Sequence, residues 1–278
     1  MNTSTPVTVN TILDLFVEKS LHTRCASTQR EHMRHIARLR AHFGERVASE
    51  IRPKDFGPFL DVRKGQCNRV RTLAVLSAAF TDAVSRWYVL ERNILRDVKR
   101  PRFPPRDRLI LDSEFEGCKA IAGKRMQLAM MLALLTGQRQ GDIIAFKWSD
   151  IRDDALHVQQ AKTGKRLAIE ISGDLERVLD QCWLLEGGGK DGNIYVLPTK
   201  FGRPYTSLGF RAYWQKTQRR WIKGGGAPFH FHDIRALAAT KCATPELAQR
   251  LLGHTSISMT LRVYRRGIER VQPLSWQS

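Results

Sequence analysis

The sequence predicts a mainly α-helical protein of two domains, the second of which carries a small antiparallel β-sheet. Three observations lead there. Apolar residues recur at helical spacing along most of the chain. A run of prolines and basic residues, VKRPRFPPRDR at 98–108, interrupts that pattern. Two short runs, ALHVQQAK (155–162) and KRLAIEIS (165–172), flank Thr163-Gly164 as the arms of a hairpin do.

The first domain is expected over 1–97. Residues 9–21 place Ile12, Leu13, Leu15 and Phe16 behind Thr8 and Asn10, either of which can cap a helix. A second helix is expected from about Ser27 to Phe43, with His32, Ile36, Leu39 and Phe43 recurring on one face. Pro53 opens a shorter helix, 53–63. A long one follows over 68–89, with Val70, Leu73, Leu76, Phe80, Val84 and Trp87 on one side. Arg63, Lys64, Arg69 and Arg71 cluster where it begins; they form a solvated face or a phosphate contact at a helix N-terminus.

The stretch 98–108 holds three prolines among five basic residues, which forbids a regular helix and makes a stiff, extended connector. Lys99, Arg100 and Arg102 can also lie along a phosphate backbone. The second domain is expected over 109–278. Asp112-Ser113-Glu114 starts a helix, and Arg125–Leu135 makes a buried one that ends near Thr136-Gly137. After the hairpin, helices are expected over 173–186 and about 207–221, each ending in a triple glycine. From Asp233 the chain reads as helical until Pro273.

Composition narrows the partner. The chain has 278 residues, with 46 Lys plus Arg against 27 Asp plus Glu, a net charge of +19. Such an excess suggests a polyanion, nucleic acid ahead of an anionic membrane surface. The most apolar run, MQLAMMLALL at 126–135, is too short to cross a bilayer. Residues 1–10 lack the charged and apolar regions of a signal peptide. Cys25, Cys67, Cys118, Cys182 and Cys242 are scattered without zinc-ligand spacing, and read as reduced thiols in a cytosolic protein.

Four stretches of the second domain carry candidate chemistry. In LLTGQRQGDIIAFKW (134–148), Arg139 follows a Thr-Gly break, with Asp142 three residues on. In QQAKTGKR (159–166), Lys162 sits at the hairpin tip, where its stem can swing. In FHFHDIRALAAT (229–240), His232 and Arg235 share a helical face; His230 competes with His232 but lacks that spacing. In LLGHTSISMTLRVYRR (251–266), His254 follows a glycine at a helix end and Tyr264 comes ten residues later. Each also has a bland explanation: a surface ion pair, a lysine placed for solubility, a chance His-x-x-Arg, a packed tyrosine.

Taken together and in this order, TGQRQGDI, AKTGK, HDIR, LLGH and the final tyrosine resemble the tyrosine recombinases of the phage-integrase family, over about 107–270. The helical first domain resembles the family's core-binding domain in pattern and position. The resemblance implies roles. Tyr264 is the expected nucleophile, and Arg139 and Arg235 the clamp on the scissile phosphate. His232 and His254 serve proton transfer and phosphate contact, Lys162 protonates the leaving 5′ oxygen, and Asp142 supports the surroundings of Arg139. Family members usually place tyrosine nine residues after the LGH histidine; the tenth residue here reshapes the intervening turn.

These residue types suit the chemistry. A phosphodiester gains charge on its transferring oxygens, which planar, permanently charged guanidiniums can meet with paired hydrogen bonds. A phenol with a pKa near ~10 needs a base and nearby positive charge in order to attack. A phosphotyrosyl link preserves the energy of the broken bond, so no ATP is expected, and no GxxxxGK[ST] motif is present; nor does the sequence show an acidic cluster that would demand a metal.

The resemblance implies double-stranded DNA as substrate, four protomers acting on two duplexes, and possible accessory DNA-bending or directionality proteins. It also implies a bacterial cytoplasmic, nucleoid-associated setting. An integrase of a phage or other mobile element, for integration or excision, is preferred to a Xer-like dimer resolvase. It is preferred as well to a type IB topoisomerase-like enzyme and to a catalytically silent DNA-binding protein. With little sequence before residue 9, a separate arm-binding domain is not expected. The segment after Pro273, with Leu274 and Trp276, either docks on a neighbour or frays.

Overall fold

The computed structural model describes residues 6–62, 64–103 and 108–261. The chain folds as two compact units, residues 1–104 and 105–278, which part within the proline-rich stretch.

The first unit is helical. α1 (Val9–Lys19) starts at Thr8, whose hydroxyl accepts from the Thr11 N–H at 3.2 Å. α2 (Ala26–Phe43) and α4 (Gln66–Ser85) pack with it around Ile12, Leu13, Phe16, Ile36, Leu39, Leu73, Leu76 and Phe80. The helix expected over 53–63 forms in two pieces, a 3-10 turn at Pro53–Phe56 and the single turn α3 (Gly57–Leu60). Pro58 has no N–H to donate to the carbonyl four residues back, so one continuous helix cannot run through it. The long helix is shorter than its periodicity suggests. Tyr88 adopts a left-handed φ of 55°, and Val89 donates back to the Ala83 carbonyl at 2.9 Å, closing α4 before Trp87.

The second unit is built around the buried helix α6 (Lys124–Thr136), which follows α5 (Asp112–Ala120). α8 (Gly173–Trp183) and α10 (Asp233–Lys241) pack against α6. A single turn, α7 (Gln140–Ile143), leads into a three-stranded antiparallel sheet of order β1-β2-β3. β1 (Ile151–Arg152) is too short to show a period, and the sequence did not suggest it. β2 (Ala155–Gln159) and β3 (Arg166–Glu170) pair with Leu156 opposite Ile169 and Val158 opposite Leu167. The strands are shorter than expected because a six-residue tip separates them, closed by Gln160 N–H to the Lys165 carbonyl at 2.8 Å. α9 (Ser207–Lys223) closes the unit on another side, its Phe210 and Trp214 buried.

The region expected to stay helical from Asp233 is broken. α10 stops at Lys241, and α11 (Pro245–Leu252) restarts after an extended Thr244 whose hydroxyl caps it. Proline at the first helical position forces its predecessor into extended backbone, so the two helices cannot join. Gly253, left-handed at φ 65°, ends α11, and a short α12 (Ile257–Met259) follows. Among the described residues no helix is long and apolar enough to cross a membrane, and all five cysteines are free thiols.

Candidate active site

The motifs that lie far apart in sequence meet at the ends of α6 and α11. Arg235, on the first turns of α10, is only 1% exposed. Its guanidinium donates to the Gly137 carbonyl and, at 2.7 Å, to the Leu252 carbonyl. Both acceptors belong to helix C-termini, each turned by a left-handed glycine: Gly137 after α6, with φ 64°, and Gly253 after α11. That conformation is where glycine escapes the strain other residues suffer.

The same guanidinium lies 3.1 Å from His254 Nε2. A guanidinium can only donate, so Nε2 must carry its lone pair toward Arg235. The proton then sits on Nδ1, which reaches the Thr260 hydroxyl at 2.9 Å. His254 is 8% exposed. Burial first, then the positive charges of Arg235 and Arg139 and the neighbouring His232, push its pKa from 6.5 down to about 4. It is a neutral imidazole at physiological pH, and its ring orients Arg235.

Arg139 is half-buried just before α7. It donates through one terminal nitrogen to Gln160 Oε1 at 2.9 Å. Asp142, buried on α7, does not pair with Arg139; its Oδ1 accepts the Ala161 N–H at 2.9 Å and so pins the root of the hairpin tip. Lys162 is exposed one residue further along that tip. His232 is exposed at the N-terminal boundary of α10. Its rival His230 instead gives its backbone N–H to the Asp233 carboxylate at 2.9 Å. Tyr264 lies outside the described residues.

In the first unit the basic candidates divide. Arg69 is largely committed to the fold: it donates to the Phe59 carbonyl at 3.3 Å and its guanidinium sits 4.9 Å from the centre of the Phe59 ring. Arg100 likewise donates to the Leu95 carbonyl at 3.1 Å. Lys64, Arg71, Lys99 and Arg102 are exposed, and Arg63 lies outside the described residues.

Three residues of the second unit's network escaped the sequence reading. Gln160 and Gln138 are buried and bonded to one another, and Thr260 is the partner of His254. Gln160 did leave a signal: it continues the alternation of buried Leu156 and Val158, so a polar side chain falls in an inward-facing register. Thr260 left none.

The Phage integrase family model matches residues 113–269, more than half of the chain. The chain belongs to the phage integrase family. The integrase of Escherichia phage lambda is 27% identical over 277 residues, covering 93% of this chain and 76% of the relative. A solved dimer of lambda integrase bound to a COC′ core site superposes with a TM-score of 0.82 at 25% identity, covering 96% of this chain and 99% of that one. A lambda integrase tetramer bound to a Holliday junction gives 0.81 at 26% identity, with coverages of 98% and 82%. As a family member, this chain is a site-specific tyrosine recombinase, a DNA strand transferase.

Proposed function

We propose that this chain cuts and rejoins double-stranded DNA through a 3′-phosphotyrosyl intermediate at a site formed by Arg139, Lys162, His232, Arg235, His254 and Tyr264. The observation that supports it most is Arg235. A guanidinium is held nearly out of water between two helix ends, with a neutral imidazole locking its plane. Fixing a charge so firmly serves a reaction in which negative charge grows on a phosphate.

Arg235 and Arg139 receive the non-bridging oxygens. The Arg139 guanidinium is bonded to the neutral amide of Gln160, so its charge remains available to an anion. The Tyr264 hydroxyl attacks phosphorus, and its proton passes to the exposed His232. A bond forms between phosphorus and the phenolic oxygen while the bond to the 5′ oxygen breaks, and Lys162 gives that oxygen a proton. The reverse sequence, with a 5′ hydroxyl from the partner strand, rejoins the DNA and releases the tyrosine.

Residues 1–97 form a core-type DNA-binding domain in this reading, 98–108 a basic linker and 109–278 the catalytic domain. Exposed Lys64, Arg71, Lys99 and Arg102 contribute salt-dependent phosphate contacts. Four protomers on two duplexes, serving integration or excision of a phage or other mobile element, fit the arrangement named for the lambda tetramer. Covalent trapping tests the chemistry. Nicked duplexes from the element's own flanks are expected to give a denaturation-resistant adduct on Tyr264, absent in Tyr264→Phe. Salt-sensitive binding with no adduct on those flanks overturns the catalytic reading in favour of a binding protein.

A further inference from the structure

We infer that Gln160 is a positioning residue for Arg139, one that sets its guanidinium against the scissile phosphate by means of a neutral amide. The inference rests on the cleavage reaction proposed above. Gln160 is completely buried, and both ends of its amide are fully used. Oε1 accepts from Arg139 at 2.9 Å and from the Thr163 hydroxyl at 2.8 Å. Nε2 donates to Gln138 Oε1 at 2.8 Å and to the Leu252 carbonyl at 2.9 Å. The amide cannot be the other way round, because Arg139 only donates and a carbonyl only accepts.

These four bonds join three separate pieces of the site. Gln138 and Arg139 lie on the turn after α6, Thr163 on the hairpin tip that carries Lys162, and Leu252 at the end of α11. The Leu252 carbonyl is also an acceptor for Arg235, so one amide is one atom removed from the second arginine as well. The fit is close: a side-chain carbon on Gly253 would stand 3.0 Å from Gln160 Nε2.

Glutamine is suited to this place for a reason of charge. A glutamate of the same length would form an ion pair with Arg139, cancelling charge meant for the phosphate, and would turn an acceptor toward Gln138 Oε1 and the Leu252 carbonyl. A methionine of similar volume would hold nothing. Asparagine, one methylene shorter, would not reach all four partners.

The test compares full-length wild type and Gln160→Met in single-turnover cleavage of a nicked duplex. One substrate has an ordinary scissile phosphate and the other a methylphosphonate at that position. The methylphosphonate is uncharged and gains less from a guanidinium. On the phosphate, the variant is expected to cleave about tenfold to a hundredfold more slowly, the range for losing an oriented charged hydrogen bond. On the methylphosphonate the penalty is expected to shrink to about threefold or less, because the charge it squanders is no longer needed.

The ratio of the two rates is taken on one protein sample, so a partly unfolded variant does not distort it. Gln160→Glu, which keeps an arginine contact but cancels charge, is expected to show the same selective loss. Equal penalties on both substrates, or none on either, overturn the inference. A wild-type chain that forms no adduct overturns the proposed cleavage itself, a result separable from any behaviour of the variants.

Discussion

Acid is expected to weaken the second unit through His254. The pKa of this imidazole falls from 6.5 in the unfolded chain to about 4 in the folded one. Protonating Nε2 would break the bond from Arg235 and put a second positive charge 3.1 Å from the guanidinium. Arg139 and His232 add to the repulsion, and Thr260 on the other side can only offer a hydroxyl. Because the folded pKa is the depressed one, the unfolded chain binds the proton more readily. The stabilising contribution is therefore complete above pH 6.5 and is lost as pH falls from there toward 4. A separation of two to three pH units sets a ceiling of about 3 kcal/mol; between pH 7 and 4.5, allowing for solvent screening, about 2 kcal/mol should be lost. Burial also lowers the pKa values of His32 and His35 in the first unit, so acid acts on that unit as well. Urea unfolding of wild type should therefore be compared with His254→Gln, which offers Arg235 an acceptor but does not titrate. The measured quantity is the difference between the two stability-versus-pH curves, in the transition that the substitution shifts. A difference growing by about 2 kcal/mol on acidification is expected. Parallel curves would falsify the assignment of a neutral, arginine-locked imidazole.

Two further predictions address the hairpin and the α11 terminus. Lys162→Met should leave duplex binding nearly unchanged but slow single-turnover cleavage about a hundredfold or more, the scale of losing a general acid; equal cleavage rates would remove Lys162 from the mechanism. Gly253→Ala forces a left-handed φ of 65° on alanine and crowds Gln160 Nε2. It should cost about 1–3 kcal/mol in thermal unfolding and reduce adduct formation as well, whereas an unchanged melting curve would show that the turn relaxes freely.

The sequence exposed the candidate catalytic side chains better than it exposed what holds them. Arg139, Arg235 and His254 each sit in a short local signature, so they could be proposed without knowing the fold. That Arg235 lies between Gly137 and Leu252 could not be read, because those carbonyls belong to any sequence and only the meeting of α6 and α11 selects them. The break after Lys241 was legible in Thr244-Pro245 but hidden beneath apolar residues that continue at helical spacing on both sides, Ala236, Leu237 and Ala239 before it and Leu247, Leu251 and Leu252 after it. Trp87 misled in the same way: it keeps the helical period of α4, although the helix has ended at Ser85 and the chain turns at the left-handed Tyr88.

The described contacts of Arg235 also show how a buried charge can be supported by neutral groups. Removing a guanidinium from water is costly, and a carboxylate partner is a frequent remedy. A tight carboxylate pair, however, would leave little net charge for a phosphate. The carbonyls of Gly137 and Leu252 supply another remedy. Terminal carbonyls of a helix have no partner within it and carry the negative end of its dipole, equivalent to a fraction of a charge. Two such ends accept from the two terminal nitrogens of Arg235 and stabilise its charge in part, while His254 contributes a lone pair and no charge. The glycines at 137 and 253 are thus tied to the proposed chemistry through geometry: by taking left-handed backbone they end α6 and α11 where both sets of carbonyls face one arginine. Gln160 extends the same logic to Arg139, meeting it with an amide oxygen. The described contacts that orient the two cations come from neutral oxygens and nitrogen, and in the proposed reaction a docking phosphate supplies the negative charge.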